Sequence, residues 1–160
     1  MASLPQLIEE DIEVLQSALD ELLRKSEAYA SILIDKGGPV VCERGDTSKF
    51  DTVTIGALAA GAFGATHAMA DRVGECNFAS IYQQGDHTSI LMCNVDENLL
   101  LLVIFKATLS VGVVKYYATS TILKVAEQMQ QASVRAPGAS LDLVSMNVMD
   151  ASPIFRKQSP

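Results

Sequence analysis

The sequence predicts an α+β fold in which helices cover both faces of a β-sheet. The segments follow the order α-β-β-α-β-β-β-α, and short turns join the last three strand segments. Such connections require antiparallel neighbours, because a parallel crossover needs about a dozen residues or more. The segment "LLLLVIF", Leu99–Phe105, is apolar at every position, which is typical of a strand buried on both faces. A helix–sheet–helix sandwich provides cover on both sides.

The first helix is predicted from about Pro5 to Ser26. Its apolar residues recur at alternating steps of four and three, which places them on one stripe opposite an acidic face. They are Ile8, Ile12, Leu15, Leu19 and Leu22. Two strand-like segments follow, Ala28–Ile34 and Pro39–Arg44, separated by the turn signal "DKGG" at Asp35–Gly38. These two segments form a hairpin.

A second helix follows Asp51 and contains "GALAAGAFGATHAMA", Gly56–Ala70. Gly74 is the expected glycine C-cap. No Asp, Glu, Lys or Arg lies between positions 51 and 71. Because this helix lacks a charged face, we expect it to be covered on both sides.

Three strand segments come next, Asn77–Gln84, Thr88–Val95 and Leu99–Phe105, and the turn clusters "GDH" and "DEN" separate them. A third helix begins near Ser110, a candidate N-cap, and ends before position 136. One domain is therefore predicted over residues 1–135. Residues 136–160 are rich in Ser, Pro and Gly and are predicted to form a flexible tail.

Composition and charge favour a cytoplasmic globular protein. The chain has 160 residues, of which 49% are hydrophobic, enough for a substantial core. A net charge of −7 makes nucleic acid or an anionic membrane surface an improbable partner. The acidic N-terminus is unlike a signal peptide. Cys42, Cys76 and Cys93 form no CxxC pair, so we expect reduced, buried thiols.

No combination of residues has the pattern of a catalytic, cofactor or metal site. His87 lies near Asp86 and Ser89, but a turn triplet does not supply the converging partners of an acyl-transfer site, so a solvated turn is favoured. Arg72 is interpreted as a solvated surface residue, and His67 as an interface or core histidine. The sequence therefore predicts no catalytic residue, no cofactor and no metal.

Glycines within the second helix need an explanation. Gly56, Gly61 and Gly64 together destabilise a helix by roughly 3 kcal/mol relative to alanine. Phosphate binding is a poor explanation, because "GAFGAT" lacks the P-loop lysine and lies inside the helix rather than before it. A membrane span is also poor, since Ala and Gly supply little transfer energy. Close packing on the protein's own sheet and close approach of a second chain remain.

Small residues recur at steps of four on two neighbouring rows of this helix, and such rows let another backbone approach closely. One row is Ala60, Gly64 and Ala68, and the other is Ala57, Gly61 and Ala65. The missing charged face indicates that at least one surface meets a second chain.

Four motifs, in this order, resemble the Roadblock superfamily and within it the bacterial MglB type, regulators of the Ras-like GTPase MglA in cell polarity and gliding motility. They are the "DKGG" hairpin, a "DTxxxxxLxAG" helix opening, a "GE" helix exit, and "VIF" leading to "SVG". The opening corresponds to Asp51, Thr52, Leu58, Ala60 and Gly61, and the exit to Gly74 and Glu75. The resemblance extends from about Glu9 to Gln131.

The resemblance implies a Roadblock/profilin-like, five-stranded antiparallel sheet, with the first and third helices on one face and the second on the other. It also implies a homodimer in which the second helix and the adjacent edge strand pair across a two-fold axis. The dimer interface would then include Phe63, Phe78, Ala79, Ser80, Ile81 and Tyr82.

The resemblance further implies a non-enzymatic activator, on whose paired second helices the small GTPase docks. The docking residues would be Ala57, Ala60, Gly61, Gly64, Ala65, His67 and Ala68. Such activators supply no arginine finger; they shift the GTPase so that its own Arg and Gln reach the γ-phosphate. The third helix has fewer basic residues than MglB-like proteins lead us to expect. A Roadblock-type adaptor that binds without activating is the alternative.

Overall fold

The computed structural model of the chain describes residues 3–135. The helices are α1 Glu9–Ser26, α2 Thr52–Val73 and α3 Val111–Val134, and the strands are β1 Ala30–Asp35, β2 Val40–Gly45, β3 Ser80–Gln84, β4 Thr88–Asn94 and β5 Leu99–Lys106. The strands form one antiparallel sheet of five strands in the order β2-β1-β5-β4-β3. The predicted fold class and element order are confirmed. The tail predicted over residues 136–160 lies outside the described residues.

Strand β5 lies at the centre of the sheet and divides the core into two layers. Alternate residues, Leu99 to Phe105, pack beneath α1 and α3, and the residues between them pack beneath α2. All seven are buried. The all-apolar segment is therefore a strand buried on both faces, as its sequence predicts.

The ends of several elements differ from the predicted ones. Helix α1 begins at Glu9, later than predicted, because Ile8 is extended and its N–H donates to the Asp11 carboxylate at 2.8 Å. Strand β3 begins at Ser80 rather than Asn77. Ser110 is the N-cap of α3, but its hydroxyl caps no backbone N–H. Gly74 is the left-handed C-cap of α2, as expected (φ 78°).

A buried ion pair that sequence reasoning missed joins α1 to the end of α3. The carboxylate of Asp11 is fully buried and accepts hydrogen bonds from both terminal nitrogens of Arg135, at 2.7 and 2.8 Å. The Gln128 amide donates to the same carboxylate at 2.7 Å. These donors satisfy a charge that would otherwise be costly to bury. The pair ties the end of α3 to the start of α1.

The three thiols do not share one environment. Cys42 and Cys93 are buried, as predicted, and burial raises the pKa of each thiol to about 11. Cys76 is exposed, so the prediction that it is buried is wrong. It lies in the connection between α2 and β3, where neither core layer reaches it.

Candidate protein-docking surface on α2 and β3

Helix α2 packs on the sheet through one narrow row of mostly small residues. The buried residues of the row are Gly56, Ala59, Ala60, Phe63, Thr66 and Ala70. Phe63 is its one large side chain; it is 1% exposed and lies in the core layer with Ile32 and Leu102. The ammonium of Lys36 lies 5.9 Å from the centre of the Phe63 ring, a distance typical of a cation–π contact. Phe63 therefore anchors α2 to this molecule.

Close packing on the protein's own hairpin explains the first glycine of α2. A Cβ at Gly56 would lie 3.0 Å from the carbonyl oxygen of Gly38 and 3.1 Å from Cγ2 of Val40. Gly38 itself has a positive φ of 116°, which favours glycine. The "DKGG" turn and α2 thus approach each other closely because both lack side chains at the contact.

The other two glycines have no such explanation within the described chain. A Cβ at Gly61 or at Gly64 would meet nothing within 4 Å, and both residues are exposed. Each destabilises the helix by about 1 kcal/mol relative to alanine. Packing on the protein's own sheet therefore accounts for Gly56 alone.

The outer face of α2 is apolar and exposed. Its large side chains are Val53 (73% exposed), Leu58 (67%), Met69 (55%) and Val73 (68%). The sequence places no Asp, Glu, Lys or Arg at positions 52–70. Among residues 3–135 the expected cover on both sides is thus found on one side, and the uncovered side has the character of a protein contact.

The structure separates the predicted docking residues into two groups. Ala57, Gly61, Gly64, Ala65, His67 and Ala68 are exposed. Ala60 is only 9% exposed and belongs to the row that packs on the sheet, so its placement at the docking surface is corrected. Exposure of His67 also excludes a core role for this side chain within the described chain.

The residues predicted for the dimer interface also separate into a buried one and accessible ones. Phe63 is buried against its own sheet, so its assignment to a dimer contact is corrected. Phe78, Ser80 and Ile81 are half-buried, and Ala79 and Tyr82 are exposed. The exposed and half-buried residues lie at or just before β3.

Strand β3 forms one edge of the sheet. Within the described part of the chain it pairs with β4 alone. Ala79 accepts a hydrogen bond from Asn94, and Gly85 donates one to Thr88; with the antiparallel register, these bonds direct the backbone groups of odd-numbered residues towards β4. The N–H and C=O groups of Ser80, Tyr82 and Gln84 therefore point to the open edge, where another strand can pair.

An apolar groove of about 350 Å³ runs between α2 and the β3–β4 side of the sheet. It is lined by Ile55, Leu58, Ala59, Ala62, Gln83, Ile90, Met92 and Leu102. The groove exists because α2 packs over β1 and β2 and leaves the far strands uncovered. Sequence reasoning missed it, since no local pattern specifies where on a sheet a helix lies.

Other kinds of site have little support in the described residues. Residues 3–135 contain no cluster of three His, Cys, Asp or Glu side chains that could hold a metal ion. His87 is exposed next to β4, and Arg72 is exposed in the last turn of α2. One described helix, α2, is long and apolar enough by composition to cross a membrane. Its buried row nevertheless packs on the sheet, so leaving the sheet would expose the core layer beneath it.

Comparison with solved structures identifies molecules of the same architecture. MglB of Myxococcus xanthus is 25% identical, with a TM-score of 0.76, over 82% of this chain and 98% of that one. The gliding protein MglB of Thermus thermophilus is 25% identical, with a TM-score of 0.75, over 82% and 99%. A structure described as MglB with a tetrameric arrangement is equally similar, with 25% identity and a TM-score of 0.76 over the same shares of the two chains as the Thermus protein.

Comparison of sequences supports a family assignment. No curated protein sequence matches the chain. Residues 15–105, which run from the middle of α1 to the end of β5, match the family described as the Roadblock/LC7 domain. This match covers more than half of the 160 residues, and the chain therefore belongs to the Roadblock/LC7 family.

Proposed function

We propose that this chain is a dimeric, non-enzymatic regulator of a small Ras-like GTPase of the MglA type, which docks on the exposed face of α2. The observation that carries the proposal is the pair Gly61 and Gly64, which lie open on an uncharged helix face where the fold itself gives no reason for glycine. A flat surface can approach the helix axis closely at these positions. The similarity to MglB structures supports a GTPase as the partner.

The dimer is proposed to form through the open edge of β3. Antiparallel pairing of two copies of β3 would continue the sheet across a two-fold axis perpendicular to it, so both copies of α2 would lie on the same face. The apolar groove beside α2 would then receive side chains of the second copy, and Leu58 at its rim is exposed for this contact. Two adjacent helices form a broader platform than one.

The proposed mechanism acts on the GTPase rather than on a substrate of this chain. Docking on the paired α2 helices shifts the switch regions of the GTPase, so that its own Arg and Gln reach the γ-phosphate, where stabilisation of negative charge accelerates hydrolysis. Arg72 has no role in this mechanism. A cytoplasmic location follows from the location of such GTPases.

Substitution at Gly64 tests the docking surface. Because Gly64 is exposed and its surroundings are open, Gly64→Arg should fold and yet prevent close approach, with at least a tenfold loss of affinity for an MglA-type GTPase in calorimetry. Ser17→Arg adds the same side chain to the exposed face of α1 on the other side of the sheet, and it should bind like the native chain. Unchanged affinity of the Gly64 variant would sink the docking proposal.

Single-turnover GTP hydrolysis by the bound GTPase separates an activator from an adaptor. An activator increases the rate constant several-fold or more at saturating dimer, and Gly64→Arg removes the increase. Binding with an unchanged rate would instead establish the adaptor function. Loss of the dimer in Gly64→Arg, seen by sedimentation, would assign this face to self-association.

A further inference from the structure

The outward face of α3 carries a second exposed apolar surface, on the opposite side of the sheet from α2. We call it the α3 stripe, and its large side chains are Val113 (50% exposed), Tyr116 (74%), Leu123 (66%) and Val134 (77%). These positions are separated by steps that return to one side of a helix. The buried row of α3, which includes Val114, Ala118 and Val125, lies on the other side. Within residues 3–135 the stripe is therefore not required for packing.

Charge on the α3 stripe is low although the chain as a whole is acidic. Ser120 lies between Tyr116 and Leu123 on this face. Lys124, at the side of the stripe, is paired with Glu21 of α1. Glu127 is the one acidic residue of the described part of α3. A strongly charged partner would gain little from such a surface, whereas an equally uncharged surface would fit it.

The stripe is close to symmetric about Leu123. Val113 and Val134 lie at nearly equal distances along the helix before and after this residue, and so do Ser120 and Glu127. Two copies packed antiparallel about an axis at Leu123 would place Val113 of each copy beside Val134 of the other. The Ser120 hydroxyl of each copy could then donate to the Glu127 carboxylate of the other. A two-fold interface needs this kind of self-complementarity.

We infer that the α3 stripe binds the α3 stripe of a second copy of this chain, so that two dimers stack back to back as a tetramer. The inference rests on the proposed β3 dimer, in which both copies of α3 lie on the face away from α2. Two stripes of one dimer then meet two stripes of the other, and the paired contacts strengthen one another. A tetrameric arrangement is described for an MglB of the same fold, so four chains of this architecture can assemble. Both α2 faces stay open to the GTPase.

Sedimentation of the full chain over a range of concentrations tests this inference. The native chain should reach the mass of four 17.1 kDa chains at high concentration and that of two on dilution. Leu123→Glu places two carboxylates together at the axis and should halve the mass at high concentration. Since Leu123 is exposed, circular dichroism should be unchanged. Ser133→Glu adds the same charge elsewhere on the exposed surface of α3 and should sediment like the native chain.

The outcomes distinguish failure of this inference from failure of the β3 dimer. The α3 contact is overturned if Leu123→Glu remains a tetramer. It is also overturned if the native chain never exceeds two copies and Leu123→Glu has that same mass. A native dimer that Leu123→Glu converts to monomer supports the α3 contact and overturns the β3 dimer instead. GTPase affinity should be the same for Leu123→Glu and the native chain, because α2 lies on the other face.

Discussion

At the scale of single residues, Asp11 shows how a charge is kept inside this domain. Its carboxylate is fully buried and accepts from Arg135, Gln128 and the backbone of Ile8. Hydrogen bonds from Arg135, the largest cause, hold the pKa of Asp11 well below its usual value near 3.8, despite the opposing effect of burial. The folded state therefore stabilises the ionised carboxylate of Asp11 more than the unfolded state does.

Asp11→Asn should lower the free energy of unfolding by about 2–3 kcal/mol at neutral pH, because charge-assisted hydrogen bonds to Arg135 are lost. A carboxylate with a depressed pKa contributes stability above its unfolded pKa and loses it as pH falls. The difference between variant and native chain should therefore shrink as pH falls below about 4. Urea unfolding at several pH values measures both effects.

Asp20→Asn is the matched control for this prediction. Asp20 is on the same helix, and its Oδ2 lies 3.3 Å from Nε of Arg44, but both side chains are substantially exposed. Exposed ion pairs contribute roughly 0–1 kcal/mol, so this variant should unfold almost like the native chain. An Asp11→Asn variant as stable as Asp20→Asn would contradict the role assigned to the buried pair.

The three glycines of α2 should respond differently to substitution by alanine, because their surroundings differ. Gly61→Ala and Gly64→Ala should each stabilise the fold by up to about 1 kcal/mol, since the added methyl groups meet nothing and the helix propensity improves. Gly56→Ala should destabilise it, because the new methyl group would lie 3.0 Å from a carbonyl oxygen. Urea unfolding at one fixed protein concentration measures all three, since dimer formation makes stability concentration-dependent. The same sign for all three variants would contradict this distinction.

At the scale of elements, the open edge of β3 and the position of α2 define the proposed interfaces. The edge presents the backbone groups of Ser80, Tyr82 and Gln84, and the groove beside α2 adds apolar surface. An unprotected edge of this kind readily pairs with another strand. The edge and the groove adjoin each other, which allows one second copy to cover both.

Gln84→Pro should weaken the proposed dimer at least tenfold in sedimentation equilibrium. Proline removes the outward N–H of this residue but leaves the β3–β4 ladder intact, because Gln84 does not donate to β4. Gln84→Ala retains the N–H and should dimerise like the native chain. If Gln84→Pro dimerised as tightly as Gln84→Ala, pairing through this edge would be ruled out.

At the scale of the whole molecule, two layers of core around one central strand produce a body with two different helix-bearing faces. The α1–α3 face is acidic on α1 and apolar along the α3 stripe, and the α2 face is apolar and open. Separate faces would allow the proposed assembly and the proposed GTPase docking to occur together. This division supports the proposed role as a platform for protein contacts.

The sequence determined the features that depend on near neighbours along the chain. Steps of three and four predicted α1, the all-apolar run predicted the doubly buried β5, and short turns predicted the antiparallel order. The absence of charge from α2 predicted cover on both sides, and the described residues provide it on one side. These properties follow from local periodicity and from the reach of short connections.

Only the tertiary structure decided which side of α2 faces the sheet. A helix rich in Ala and Gly, whose large apolar residues do not form one stripe, has no clear sequence pattern to set its rotation, so Phe63 and the close contact at Gly56 determine it through packing. The same packing buried Ala60 and left the groove beside α2. On the other face of the sheet, the packing of α1 against α3 brought Arg135 to Asp11, 124 residues away in the chain. Such contacts join residues distant in the chain, and they depend on the volumes that neighbouring elements fill.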